Sequence, residues 1–146
     1  MHTDPAWIVQ AAAPFVWWGA VLAISFLEAP LKFRAPGITR ELGLGIGRLV
    51  FRALNIAEVV LAAALTVAVL AGPPGTPTLA TTTLLALWVL LVVQLAILRP
   101  RLTRRTRALL AGAVSPPSRL HLAYIALEGV KAVLLPVLGI ALLARG

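Results

Sequence analysis

The chain has 146 residues, of which 60% are hydrophobic and only 12% are charged, and its mean hydropathy is +0.97. A soluble domain of this length carries about twice that charge, so the composition excludes a soluble protein and indicates an integral membrane protein. The lack of cysteine excludes disulfides, thiolate metal sites and cysteine nucleophiles, and we interpret the net charge of +8 as marking the cytoplasmic side rather than as binding nucleic acid.

Four apolar segments are each long enough to cross the hydrocarbon core, which takes about 20 residues. They cover approximately residues 6–27, 48–71, 79–98 and 120–144. We interpret the first as a retained span rather than a signal peptide, because Asp4 stands where positive charge is expected. Lipid offers no partner to unpaired backbone, so the spans must be helical. The sequence therefore predicts an all-α fold, in which residues 1–146 form a single integral membrane four-helix bundle.

Of the three predicted loops, only residues 28–47 and 99–119 carry positive charge. Cytoplasmic loops retain lysine and arginine, whereas the second loop, GPPGTPT at 72–78, is uncharged. We therefore expect both termini to lie outside, in an inner (plasma) membrane of the bacterial type. The segment Arg99–Arg107, RPRLTRRTR, is expected to contact anionic lipid head groups. Three glycines, Gly43, Gly45 and Gly47, indicate close helix contact rather than a phosphate-binding loop.

We place every strongly polar side chain of the spans in the predicted cytoplasmic half. They are Glu28 at the end of the first span; Arg48, Arg52, Asn55 and Glu58 in the second; Gln94 in the third; and His121, Tyr124, Glu128 and Lys131 in the fourth. A helical rotation of about 100° per residue brings each set onto one face. With a rise of about 1.5 Å per residue, Glu58 and Lys131 lie at similar depths, so we predict that they approach each other.

Ionisable groups at this depth cost a few kcal/mol each, and they usually face a cavity or one another. Our leading hypothesis is a cytoplasm-facing polar site that binds or transports a small ion or solute, with proton-linked transport as one form. Glu58 and Glu128 are the candidate titrating groups, and Lys131 is their counter-ion. The remaining candidate site residues are Glu28, Asn55, His121 and Tyr124, with Arg48, Arg52 and Gln94 in a vestibule. A lone four-helix protomer rarely builds a full pathway, so a homo-oligomer is compatible with this hypothesis.

Three other site chemistries are alternatives. Binding of an anionic substrate by Arg48, Arg52, His121 and Lys131 fits the local excess of positive charge. Divalent metals need oxygen and nitrogen ligands, but Lys131 and the two arginines of the second span repel a cation. Haem would need an axial residue, and inside the bundle only His121 is available. We therefore assign no metal, no cofactor and no catalytic residue. An accessory subunit whose charges only pair internally is a further alternative.

Asn55-x-x-Glu58, preceded by Arg52 and placed on the second span after a basic loop, resembles the second-span motif of the MAPEG family. Members of that family are small four-span membrane enzymes, usually trimers, that bind glutathione. The resemblance implies an enzyme that brings a cytosolic co-substrate to a lipophilic substrate. It also implies that Arg52, Asn55, Glu58 and Tyr124 would contact glutathione.

Overall fold

The computed structural model describes residues 4–114 and 118–144. This part of the chain forms four long helices: α1 (Pro5–Arg34), α2 (Arg40–Ala71), α3 (Thr78–Leu110) and α4 (Arg119–Leu143). Each is long and apolar enough to cross a membrane. The predicted all-α four-helix bundle is confirmed, and the protein is a multi-pass membrane protein by the length and composition of its helices.

Side-chain caps fix where three of the helices begin. The side chains of Asp4, Thr39 and Ser118 each accept a hydrogen bond from a backbone amide in the first turn of α1, α2 and α4, respectively. Such caps satisfy amides that have no partner inside the helix. At the turn between α1 and α2, Gly37 adopts a φ of +77°, which glycine tolerates at little cost.

Two helices contain a wider, π-helical segment. In α1, the α-helix Pro5–Val21 is followed by the π segment Leu22–Glu28. The helix α1 then ends in two short turns, Ala29–Leu31 and Lys32–Arg34. In α3, the π segment Val93–Leu98 separates the α-helices Thr78–Val92 and Arg99–Leu110.

A proline follows closely after each π segment. The amides of Ala29 and Arg99, which follow the π segments, donate to carbonyls five residues earlier. Pro30 and Pro100 come next in the chain, and a proline ring has no N–H and clashes with the carbonyl four residues before it. Widening the preceding turn relieves that clash, at the cost of rotating the helix about its axis.

The helices continue beyond the spans predicted from hydropathy. Residues 28–34 and 40–47, assigned to a loop, belong to α1 and α2, so only residues 35–39 connect them. Residues 99–110, likewise assigned to a loop, are the last turns of α3. Charge marks where a helix leaves hydrocarbon, but it does not end a helix when the residues themselves favour helix formation.

The bundle has two different ends. The basic end is where α1 ends, α2 begins and α3 carries its arginines, and the opposite, apolar end contains residues 72–77. Towards the apolar end the interior is a hydrophobic core, and its fully buried members include Trp17, Leu65, Leu87, Leu135 and Leu138. Large apolar side chains on the outer surface, such as Leu70, are exposed, as in a lipid-facing wall.

Two kinds of residue hold the helices together in the apolar half: a glycine that allows close approach, and a buried amide that hydrogen bonds between helices. Gly139 of α4 lies against the ring of Phe15 in α1, and an added Cβ would lie 2.6 Å from that ring. At the apolar end, Gln10 donates a 2.7 Å hydrogen bond to the carbonyl of Ala68. Gln10 is a buried amide that the sequence reasoning overlooked. In the described part of the chain, these contacts pack the helices of the apolar half closely together.

The predicted glycine contacts are confirmed in part. A Cβ on Gly43 would collide with the ring of Phe33, and one on Gly47 would lie 2.9 Å from Nζ of Lys32. Gly45, by contrast, faces open space. Two of the three glycines therefore let the end of α1 fold against α2, which brings Lys32 to the basic end of the bundle interior.

Candidate functional site: a buried charge cluster beneath a pocket

Three charged side chains form a cluster in the bundle interior: Glu58 of α2, with Glu128 and Lys131 of α4. Glu58 and Lys131 have no exposed surface, and Glu128 is 1% exposed. Nζ of Lys131 donates to Oε1 of Glu58 and lies 2.8 Å from Oε1 of Glu128. The predicted approach of Glu58 and Lys131 is confirmed, and the structure adds that the lysine bridges two carboxylates.

The other two helices supply neutral donors to the charge cluster. Trp17 of α1 donates through its indole N–H to Oε1 of Glu58 over 2.9 Å. Gln94 of α3 donates to Oε1 of Glu128 over 2.7 Å, and the hydroxyl of Ser25 in α1 donates to Oε2 of Glu128 over 2.9 Å. Since all four helices contribute, the cluster can form only when the bundle is assembled.

The two π segments meet at the same carboxylate. Ser25 lies in Leu22–Glu28 and Gln94 lies in Val93–Leu98, and each side chain binds a different oxygen of Glu128. Wider helical turns are frequent at functional sites. Here they give Glu128 one donor from each flanking helix.

The charge cluster is not electrically balanced, because it contains two carboxylates and one ammonium group. Among the described residues, Oε2 of Glu58 and Oε1 of Gln94 are buried without a hydrogen-bond partner. A buried, unpaired charge is costly in a low-dielectric interior, as is a buried acceptor without a donor. The arrangement therefore has room, in charge and in hydrogen bonding, for one further proton.

A pocket of about 480 Å³ lies above the cluster at the basic end, and all four helices line it. Ser25 and Glu128 are at its inner end, so the carboxylate of Glu128 borders both the pocket and the cluster. The lining is mostly apolar, and its members include Phe26, Phe51 and Ile125. The site is thus a largely hydrophobic recess with an acidic group at its base.

Each helix also brings one basic residue to the pocket: Lys32 from α1, Arg48 from α2, Arg99 from α3 and His121 from α4. Lys32 forms a 3.3 Å salt bridge with Glu28. Its ammonium also lies 5.5 and 5.7 Å from the centroids of the Phe33 and Phe51 rings, respectively, within cation–π range. Nη2 of Arg99 donates to the backbone carbonyl of Arg48 over 3.4 Å.

The structure places the predicted site residues in the charge cluster, on the pocket wall, or beside one of these. Glu58, Glu128 and Lys131 form the charge cluster, while Tyr124 and His121 line the pocket. Asn55 is buried and accepts a 3.2 Å hydrogen bond from the hydroxyl of Tyr124. Glu28 stands apart from the cluster, because its partner is Lys32 at the pocket wall.

Two vestibule residues lie elsewhere than predicted. Arg52 is exposed and does not line the pocket, because it lies about 120° around α2 from Glu58, at the edge of the inward-facing arc. Gln94 is fully buried in the interior rather than in a vestibule, since it hydrogen bonds to Glu128. Arg48, the third vestibule residue, does line the pocket.

Sequence reasoning missed Trp17, Ser25, Lys32 and Arg99. A mid-span tryptophan carries a polar N–H that needs a partner when it is buried, and that signal could have identified Trp17. Lys32 and Arg99 were assigned to the basic loops, because hydropathy places them outside the membrane. Continuous helix turns them inward instead.

Comparisons of the chain with protein-family models, with curated proteins and with solved structures found no match. Among residues 4–114 and 118–144, no group of three or more His, Asp or Glu side chains could hold a metal ion. The charge cluster and the pocket are therefore the features of this chain that bear on its function.

Proposed function

We propose that this protein binds a small solute in the pocket, links its binding to a proton held by the charge cluster, and uses this linkage in transport across the membrane. One observation carries the proposal. Oε1 of Glu128 belongs to the cluster, whereas Oε2 binds Ser25 at the inner end of the pocket. A solute that contacts this carboxylate therefore acts on the same group that shares Lys131 with Glu58.

The shared lysine supplies the coupling. When two titrating groups interact strongly, protons bind to the pair rather than to one residue. A solute that draws Glu128 away from Lys131 leaves the lysine paired mainly with Glu58. The proton held by the cluster then moves to the other carboxylate or is released. The coupling is reciprocal, so a proton that binds to the cluster must change the affinity for the solute by the same factor.

A transporter must also keep its binding site closed to one side of the membrane, and the packing of the apolar half supports such a closure. Trp17, Leu65, Leu87 and Leu135 are fully buried between the pocket and the apolar end. A pocket open to one side only suits a protein that alternates between two conformations. Irregular helix at a mid-membrane site is typical of transporters, and both π segments adjoin Glu128.

We also propose the orientation that the basic residues indicate, with the basic end in the cytoplasm, both termini outside and the membrane a bacterial-type inner membrane. Because the chain has no cysteine, each introduced thiol is unique. In intact cells, a membrane-impermeant maleimide should label Pro74→Cys at the apolar end but not Ala35→Cys at the basic end. The reverse pattern would overturn the orientation.

Proton linkage can be measured even though the solute is unidentified. Proteoliposomes that contain a pH-sensitive dye would be exposed to a panel of small inorganic ions, organic acids and amines. At least one solute should produce a protein-dependent change in internal pH. Glu128→Gln and Glu58→Gln should each abolish this change, because each removes one of the two carboxylates that share Lys131.

A matched control is Glu41→Gln, which removes an exposed carboxylate in the first turn of α2 and should leave the proton movement unchanged. Proton movement that persists in both cluster variants would refute the proposed residues. If no solute moves protons faster than in empty liposomes, transport is refuted, and an accessory subunit with internally paired charges becomes the better account.

A second proposal is the membrane enzyme that the resemblance to the MAPEG family implies. The hydrogen bond between Tyr124 and Asn55 favours it, because it joins two of the implicated residues, and Tyr124 lines the pocket. Saturable glutathione binding that is lost in Glu58→Gln and weakened in Tyr124→Phe would support this enzyme. Absence of binding at about millimolar glutathione, near the upper end of common KM values, would remove it.

A further inference from the structure

We infer that the pocket takes an organic anion, with a negatively charged head group on an apolar body. This inference rests on the proposed function in one respect only, namely that the pocket binds a solute. It deepens that function by specifying the chemical class.

Most of the ionisable side chains that line the pocket are basic. Lys32, Arg48, Arg99 and His121 reach it from four different helices. Among the described residues that line the pocket, Glu128 is the only carboxylate, and Lys131 lies 2.8 Å from it. Lysine and arginine side chains therefore outnumber the carboxylate, and an excess of one sign of charge between low-dielectric walls concentrates ions of the opposite sign. The pocket therefore favours anions.

The basic residues of the pocket differ in whether a carboxylate already pairs with them. Lys32 is partly neutralised by Glu28. Within the described part of the chain, neither Arg48 nor Arg99 forms a salt bridge, and their one mutual contact is a guanidinium–carbonyl hydrogen bond. An arginine binds a carboxylate, sulfonate or phosphate through two parallel hydrogen bonds. These two guanidinium groups are thus the expected head-group ligands.

The walls of the pocket are mostly apolar. Phe26, Phe33, Phe51, Leu102 and Ile125 supply apolar surface to the pocket. A volume of about 480 Å³ falls within the range of about 300–1,000 Å³ that holds small organic molecules. An inorganic anion would leave this surface unused, so the ligand needs an apolar body as well as a charged head.

Two sources can supply such a molecule. It can be an anionic lipid that enters from the bilayer, or a water-soluble organic anion that enters from the basic end. Their chemistry at the pocket is the same, and the experiment has to separate them.

Calorimetry on the purified full-length protein, in nanodiscs of zwitterionic lipid, tests the class directly. The probes are naphthalenesulfonate and naphthylmethylammonium, which share an apolar body and differ in charge. The sulfonate should bind saturably and at least about tenfold more tightly, which corresponds to about 1.4 kcal/mol. Arg99→Gln and Arg48→Gln should each weaken sulfonate binding by about tenfold or more.

Arg101→Gln is the matched control, because Arg101 is an exposed arginine of the same helix that does not line the pocket. It should leave the affinity unchanged. Repeating the titration in nanodiscs that contain phosphatidylglycerol separates the sources. Loss of sulfonate binding there identifies an anionic lipid as the occupant, and retained binding identifies a water-soluble anion.

Three results would overturn the anion assignment: binding of neither probe, equal or tighter binding of the ammonium probe, or equal affinities in Arg99→Gln and Arg101→Gln. These failures differ from failure of the proposed function. If the sulfonate binds as expected but proton movement ignores Glu128, the proton linkage fails and the ligand class stands. If amines alone drive proton movement, the ligand class fails and the linkage stands.

Discussion

Replacing Lys131 with methionine should destabilise the protein more than replacing either of its carboxylate partners. Lys131 contacts Glu58 and Glu128 at once, and no other cation joins the charge cluster among the described residues. Lys131→Met keeps a similar side-chain volume but leaves two buried carboxylates beside each other. Glu58→Gln, in contrast, leaves Lys131 paired with Glu128, so that the remaining charges balance.

The magnitudes follow from burial. Removing one partner of a buried ion pair costs about 3–5 kcal/mol, because the other charge stays buried and uncompensated. Lys131→Met removes the partner of two charges and belongs at the upper end of that range. Glu58→Gln loses one charge-assisted hydrogen bond and keeps a group that Trp17 can donate to, so its cost should stay below about 2 kcal/mol.

The free energy of unfolding can be measured by titrating the protein with sodium dodecyl sulfate in mixed micelles. Lys32→Met is the matched control, since Lys32 makes a single, partly exposed salt bridge and should cost no more than about 1 kcal/mol. Equal losses in Lys131→Met and Glu58→Gln, or a larger loss in Glu58→Gln, would refute the idea that the cluster is short of positive charge.

Two further variants test the packing around the cluster by the same measurement. Gln94→Leu should cost about 1–3 kcal/mol, because it removes the donor to Glu128; a gain in stability would show that the buried amide is kept for function alone. Gly139→Ala should cost about 1–3 kcal/mol, because its new Cβ meets an aromatic ring of α1. Gly129 of the same helix faces open space, so Gly129→Ala should instead stabilise the protein by up to about 1 kcal/mol. Equal effects of the two alanine substitutions would contradict the close contact of Gly139 with α1.

Local rules determined the number of helices and the depth of the charges. Hydrocarbon forces each long apolar segment into a helix, and a fixed rise and rotation per residue then place each side chain. That was sufficient to predict that Glu58 and Lys131 meet. The same rules placed Tyr124 and Arg48 on inward-facing arcs, where the structure has them.

The sequence could not determine how far each helix is turned about its own axis. Pro30 and Pro100 widen the turns before them, so the residues that follow rotate away from an ideal α-helical register. Lys32 and Arg99, both beyond such a segment, reach the pocket although hydropathy assigned them to loops. Arg52, at the edge of its arc, turns outward instead.

By itself, the sequence determined that this protein is a four-helix membrane bundle with its ionisable groups towards one end, because hydrophobicity and helical period act within each segment. Tertiary packing decided that Lys131 bridges two carboxylates, that Trp17 and Gln94 complete their hydrogen bonds, and that four basic residues surround one pocket. These contacts join residues on different helices, and their geometry depends on how close and at what rotation the helices pack.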